Sequence, residues 1–307
     1  MNVRTLWPLA AALVFASLAH SAIAEALGEH PAVIVARTWS TRGIDPNTFI
    51  VQHPASPRWL AMSPTEEDKA SQNGKPTIVL VHGAFAESSS WDAVVGELLA
   101  LGYPVIAAAN PLRGVKNDAD YIASILTDIR GPIVLVGHSY GGNVITNAVN
   151  GNRNVRALVY VAAFAPDEGE TAAELSGRYP GGSLAPTLAP PVALPGGGKD
   201  LYIQQDKFGA QFDEDVASKY TKVMAAAQRP VTEAALNEPS GVPAWKTTPS
   251  WFIYGELDKN IPEAALAFMA KRAGSKETVV VKGASHFVMV SRPDAVVDLI
   301  RRAATAE

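Results

Sequence analysis

The stretch Pro132-Ile133-Val134-Leu135-Val136-Gly137-His138-Ser139-Tyr140-Gly141-Gly142 constrains this chain more than any other. An unbroken apolar run of strand length ends in Gly-x-Ser-x-Gly and passes at once into the helix-like Asn143-Val144-Ile145-Thr146-Asn147-Ala148-Val149. A buried strand that turns this sharply into a helix lifts the serine out of the backbone trace, and the small residues on either side keep the turn free of clashes. The helix that follows aims its first amides at whatever carbonyl the serine attacks. By itself the five-residue pattern is common; the strand before it and the helix after it make it specific.

The surroundings repeat the same logic. Thr77 to His82 reads as a buried strand, Trp91 to Leu101 as an amphipathic helix, Pro104 to Ala108 as a strand, Ala119 to Ile129 as a helix and Val155 to Ala165 as a strand. After a gap, Ser250 to Tyr254 reads as a strand, Pro262 to Ala273 as a helix, Thr278 to Val281 as the last strand and Pro293 to Ala304 as the closing helix. Apolar strands without a polar face, alternating with helices, predict an α/β fold with a mostly parallel central sheet covered by helices on both faces.

The alternation is broken by residues 167–249, longer than most connections in a compact domain. This insertion reads as a helical cap, dense in proline and glycine from Tyr179 to Gly198 and helical from Asp213 to Ala227. Tyr202, Phe208, Phe212, Tyr220, Met224 and Trp245 are its candidates for lining an acyl pocket, with packing inside the cap the competing role. Gly196-Gly197-Gly198-Lys199 is not a phosphate loop, because Ala193 and Asp200 stand where that motif needs glycine and Ser or Thr.

At the N-terminus, Arg4, the apolar run Leu6 to Ala19 and Ala22-Ile23-Ala24 before Glu25 read as a secretory signal peptide over 1–24. Pro8 and the short span disfavour a membrane anchor. Export to a bacterial periplasm or the medium is expected, with no stable membrane insertion after cleavage. Residues 25–75 read as an extension or linker, leaving 76–166 and 250–307 as the core and 167–249 as the cap. The chain has 26 basic and 30 acidic residues and no cysteine. Without basic runs or aromatic-basic interleaving nucleic acid is not an expected partner, and disulfides and thiolate metal sites are excluded.

A serine hydroxyl needs a base. His20, His30 and His53 lie in the leader or the poorly patterned N-terminal segment, His82 shapes the turn after the first regular strand, and His138 sits on the elbow itself. That leaves His286, just beyond the last strand. The base in turn needs a carboxylate, for which Asp258, in the loop after Trp251 to Tyr254, is favoured by the order Ser, Asp, His; Glu256 and Asp167 are the alternatives. The oxyanion donors expected are the backbone amides of Tyr140 and Ala84, and Phe85 is a candidate pocket wall.

His82-Gly83-Ala84-Phe85 with Ser89-Ser90-Trp91, Gly137 to Gly142, Val161 to Pro166, Tyr254 to Asp258 and Ser285-His286 together resemble the α/β-hydrolase superfamily. Within it the chain more closely resembles bacterial esterase-like members related to plant methyl-ester esterases and hydroxynitrile lyases. The resemblance covers Thr77 to the C-terminus. It implies a cofactor-free, metal-free enzyme with a helical cap, in which Ser139, Asp258 and His286 match the triad. Dehalogenase and epoxide-hydrolase relatives carry an aspartate where Ser139 stands. The lyase branch carries a lysine where Phe287 stands, which argues against cyanohydrin chemistry; Phe287 is also a candidate substrate-binding residue. The expected reaction is hydrolysis of a small, apolar carboxylic ester. Perhydrolase or haloperoxidase-like chemistry and lactone or amide hydrolysis use the same triad, and a non-catalytic binding protein on the scaffold is the reading from a different class.

Overall fold

The computed structural model describes residues 74–149 and 151–306. The leader read over 1–24, nearly all of the segment 25–75, and His20, His30 and His53 lie outside the described residues. Six strands form one parallel sheet: β1 (Thr77–Val81), β2 (Val105–Ala108), β3 (Ile133–His138), β4 (Val155–Val161), β8 (Ser250–Gly255) and β9 (Thr278–Val281), in the order β2-β1-β3-β4-β8-β9. Three more, β5 (Val192–Ala193), β6 (Lys199–Leu201) and β7 (Val231–Thr232), pair antiparallel within residues 167–249.

Strand β3 is buried along its whole length, as an apolar run with helices on both faces must be. Strands β1, β4 and β8 bury Leu80, Leu158, Val159 and Ile253 completely. Truncating any one of these to alanine costs about 2–5 kcal/mol, through lost transfer energy and the cavity left behind.

Right-handed crossovers decide which face each helix covers. Helix α1 (Asp92–Ala100) follows β1, and the chain then steps to β2 on one side; α2 (Val115–Asp128) and α3 (Gly141–Ala148) belong to steps in the opposite direction. They accordingly separate: α2 packs on α3, while α1 packs on the closing helix α10 (Pro293–Thr305), which lies along β3, β4 and β8. The reversal of direction between β1 and β3 opens a crevice beyond their C-terminal ends, the usual ligand position in such sheets.

Helix α2 begins four residues before the predicted start, because the buried Asp118 carboxylate accepts the Arg113 and Gly114 amides and closes its first turn. The insertion also departs from expectation. Besides α4 (Ala172–Gly177) it holds α5 (Gln205–Phe212), α6 (Ser218–Ala227) and α7 (Glu233–Asn237) around the small sheet. The helix read over 213–227 therefore starts only at Ser218. Asp213 has φ −146° and ends α5, and Val216 N–H turns back to the Asp213 carbonyl at 2.8 Å. After β9 come a further single turn, α9 (Val288–Ser291), and α10; α8 (Glu263–Arg272) packs on β8.

Candidate active site

Among the described residues, four other than glycine have positive φ: Phe85 at 61°, Leu112 at 60°, Ser139 at 52° and Ala162 at 44°. Each follows the C-terminal end of one of four consecutive strands, β1, β2, β3 and β4, so backbone strain is concentrated along one edge of the sheet. Such strain persists only where the surroundings enforce it, and it gathers at functional sites. At Ser139 the enforcement is visible. Its amide donates to the Val161 carbonyl at 3.3 Å, and its carbonyl accepts from Gly142 and Phe164 at 2.9 and 3.2 Å.

The loop after β1 lies directly against this elbow. A Cβ on Gly83 would stand 2.6 Å from both the His138 carbonyl oxygen and Ser139 Cβ, so only glycine permits the approach. The turn is braced by His82, whose Nδ1–H donates to the Gly83 carbonyl at 3.0 Å while Nε2 accepts the Asn110 amide at 2.9 Å. Burial lowers the His82 pKa to about 4, keeping the ring neutral, as an acceptor at Nε2 requires.

Several amides around Ser139 are already engaged. Phe85 N–H is engaged by the Arg229 carbonyl at 3.1 Å, and the Ser139 and Gly142 amides are bonded as above. Among the described residues, the Ala84 and Tyr140 amides donate to no acceptor. They are the two expected for an oxyanion, and both residues are buried.

His286 follows β9 and Asp258 follows β8; their loops meet. Nδ1–H of His286 donates to Asp258 Oδ2 at 2.7 Å, with both side chains wholly buried. The other carboxylate oxygen accepts the amides of Asn260 and Ile261 at 2.8 and 2.9 Å. His286 Nε2 is buried and has no partner, and no hydrogen bond joins it to Ser139 Oγ. Active-site contacts of this kind are commonly long without substrate and tighten when one binds. The two rival carboxylates are occupied elsewhere: Glu256 accepts the Gly283 amide at 3.1 Å, and Asp167 pairs with Lys246 at 2.6 Å.

Two buried groups that the linear motif does not reveal complete the surroundings. The His138 ring lies 4.7 Å from that of His286, and desolvation, reinforced by the neighbouring His286, holds its pKa well below the usual imidazole range. The Tyr140 hydroxyl donates to Asp118 Oδ2 at 3.0 Å, and burial pushes both groups' pKa values up. The sequence signal for the first was its place beside the serine. For the second there was none, because Asp118 lies on α2 and Tyr140 on the elbow, 22 positions apart.

Phe85 and Phe287, the two expected pocket residues, line a common cleft that neither Ser139 nor His286 reaches. With Ala86, Met224, Ala227 and the polar Glu87, Ser89 and Ser90 they enclose about 20 Å³, which holds no more than a water-sized group. Of the six aromatic and methionine candidates in the insertion, only Met224 lines it. Phe208 and Phe212 stack at 5.1 Å behind it, Phe212 edge-on to Phe85 and to His286. Tyr220 is exposed, and Trp245 donates to the Pro166 carbonyl at 2.9 Å. Among the described residues no cluster of three His, Cys, Asp or Glu side chains has the geometry of a metal site, and no helix is long and apolar enough to cross a membrane.

A six-stranded parallel sheet with a strained serine at its switch point defines an α/β-hydrolase-type enzyme, and the chain belongs to the alpha/beta hydrolase family, whose sequence model matches residues 78–299. Among characterised proteins it is 27% identical to an alpha/beta hydrolase, nvfD, of Aspergillus novofumigatus over 75% of this chain and 97% of that protein. It is 24% identical to salicylic acid-binding protein 2 of Nicotiana tabacum over 70% of this chain and 92% of that one. Solved structures with the same fold include polyneuridine aldehyde esterase, with a TM-score of 0.65, 16% identity and coverage of 74% of this chain and 98% of that one. A pyrethroid hydrolase from Sphingobium faniae has a TM-score of 0.62 and 22% identity, covering 75% and 98%.

Proposed function

We propose that this protein is a secreted serine hydrolase that cleaves carboxylic esters of small apolar molecules through an acyl-enzyme. Residues 76–166 and 250–307 form its catalytic core and residues 167–249 a cap. His286 Nε2 takes the proton of Ser139 as Oγ forms a bond to the ester carbonyl carbon; Asp258 holds the imidazole tautomer and stabilises the imidazolium. The amides of Ala84 and Tyr140 hold the oxygen that becomes negative. Collapse of the tetrahedral species breaks the bond to the alkoxy group, which leaves with the proton from His286. Water then attacks the acyl carbon with His286 as base, releasing the acid and restoring the Ser139 hydroxyl.

One observation carries this reading: a histidine held by a carboxylate at 2.7 Å keeps its second nitrogen buried and unpartnered, beside an elbow whose serine is flanked by two unengaged amides. An unsatisfied buried nitrogen costs free energy, and such a group in a family of hydrolases is best explained by a reacting partner. The names of the related esterases and hydrolases support ester chemistry, and the phenylalanine rings packed on His286, Phe212 edge-on at 5.3 Å and Phe287 at 6.2 Å, support apolar substrates.

The test is hydrolysis of p-nitrophenyl esters, from acetate to long acyl chains, by the wild type and Ser139→Ala side by side. Turnover in the first and a loss of about 10⁴-fold or more in the second is expected. Equal rates together with no labelling of the wild type by a fluorophosphonate would overturn the assignment. Export is tested separately, by sequencing the N-terminus of the mature protein, expected at Glu25.

A further inference from the structure

We propose that Asp118 is a positioning residue for the reaction, fixing the Tyr140 backbone amide at the oxyanion through the buried hydrogen bond from the Tyr140 hydroxyl. The inference rests on the reading of Tyr140 as an oxyanion donor given above.

Tyr140 directly follows the strained Ser139, and its ring is completely buried. A large aromatic at this point of a tight turn sets the orientation of its own peptide, since the ring, Cα and amide share two soft dihedrals. The far end of the ring is held at 3.0 Å by Asp118 Oδ2, 22 positions away on the first turn of α2. Asp118 is itself held. Its two oxygens accept the Arg113 amide at 3.0 and 3.1 Å, Asn117 Nδ2 reaches Oδ1 at 3.4 Å, and the Gly114 amide reaches Oδ2 at 3.4 Å. A carboxylate satisfied from this many sides is a rigid anchor rather than a swinging acceptor.

The anchor also touches the insertion. The guanidinium of Arg113, whose amide holds Asp118, donates to Asp200 on β6 and to the Pro230 carbonyl, each at 2.6 Å. Thr232 on β7 donates through its amide to Leu112 and through its hydroxyl to the Arg113 carbonyl, both at 3.1 Å. Leu112 carries one of the four positive φ angles along the sheet edge. The Leu112–Arg113 turn therefore receives the cap on one side and, through Asp118 and Tyr140, meets the nucleophile on the other. A misplaced oxyanion donor weakens the transition state and leaves ground-state binding almost untouched, so the consequence belongs in kcat.

The experiment measures kcat and KM for p-nitrophenyl acetate, normalised to sites titrated with a fluorophosphonate, for wild type, Tyr140→Phe, Asp118→Ala, Asp118→Asn and the double variant Tyr140→Phe/Asp118→Ala. Tyr140→Phe and Asp118→Ala should each lose about tenfold in kcat per titrated site, with KM within about twofold. The double variant should lose no more than the worse single one, because both remove the same bond. Asp118→Asn should recover most of the rate, its amide oxygen still accepting from the tyrosine. Full kcat per site in Tyr140→Phe, or losses that multiply in the double variant, would overturn the proposal. Should Asp118→Ala fold poorly, Tyr140→Phe and Asp118→Asn decide alone. Wild-type rates in Ser139→Ala would instead sink the hydrolase reading itself.

Discussion

Nε2–H of His138 donates to the backbone carbonyl of His286 at 3.2 Å, across 148 positions of sequence. The residue immediately before the candidate nucleophile thus holds the main chain of the candidate base. This bond joins the elbow to the loop after β9, and so helps set the Ser139 to His286 separation. His138 is wholly buried, packed edge-on against Trp91 at 6.3 Å and tilted against Phe287 at 5.3 Å.

His138→Phe keeps the ring and its packing but removes the donor. The expected result is a fall in kcat of about tenfold, the scale of one misaligned contact in the reacting geometry, together with a lower melting temperature from the buried His286 carbonyl left unpaired. A rate unchanged per titrated site would mean that the His286 loop is held without this bond.

Asp258 is the only one of the three candidate carboxylates bonded to His286. Asp258→Asn should lower kcat by about 10³- to 10⁴-fold, through loss of the tautomer and of imidazolium stabilisation. Glu256→Gln and Asp167→Asn should stay within a few-fold of wild type. Steady-state rates for the three variants, measured on one ester, check the assignment.

Gly142, in the first turn of α3, lies against the chain after β4. A Cβ there would fall well inside van der Waals contact with the Phe164 carbonyl oxygen and 2.9 Å from Ala163 Cβ. Backbone cannot swing aside as a flexible side chain does, so Gly142→Ala should destabilise the fold by more than about 2 kcal/mol. Denaturant unfolding monitored by fluorescence reads this directly.

Asp213, at the end of α5, is buried, and neither carboxylate oxygen makes a well-formed hydrogen bond. Desolvation raises its pKa to about 6, opposed by the Thr221 hydroxyl and reinforced by the like charge of Asp215. The folded pKa lies above the unfolded value, so the folded state holds the proton more tightly. Stability therefore falls as pH rises from about 4 to about 6 and stays lower above that. Asp213→Asn should gain on the order of 1 kcal/mol at pH 8, less than the full shift because solvent screens part of it. It should gain nothing at pH 4. Melting temperatures of both proteins across this range test the sign, and a gain at pH 4 as large as at pH 8 would contradict it.

Much of this molecule was legible before any fold was known. Strand β3, the turn at Ser139 and helix α3 are adjacent in sequence, and their signals are local: a fully apolar run, small residues at set spacings, then helical periodicity. The parallel sheet followed from apolar strands alternating with helices. The insertion was harder to read. Its strands are two or three residues long, too short for any period to show, and the break at Asp213 is made by a backbone turn that propensity does not mark.

What the amino-acid order determined by itself was the set of groups that local physics can specify: a serine on a strained turn, a histidine after the last strand, carboxylates in the loops beside it. Which of them touch was decided only by tertiary structure. Asp258, Glu256 and Asp167 are chemically alike and all sit after strands, but reach depends on where the loops after β8 and β9 meet, and there Asp258 alone bonds to His286. His138 and His286, and Tyr140 and Asp118, are likewise strangers in the chain. Their bonds exist because a parallel sheet carries the ends of distant strands to one edge, where burial makes every unpaired polar atom costly and so selects the few pairings that satisfy them.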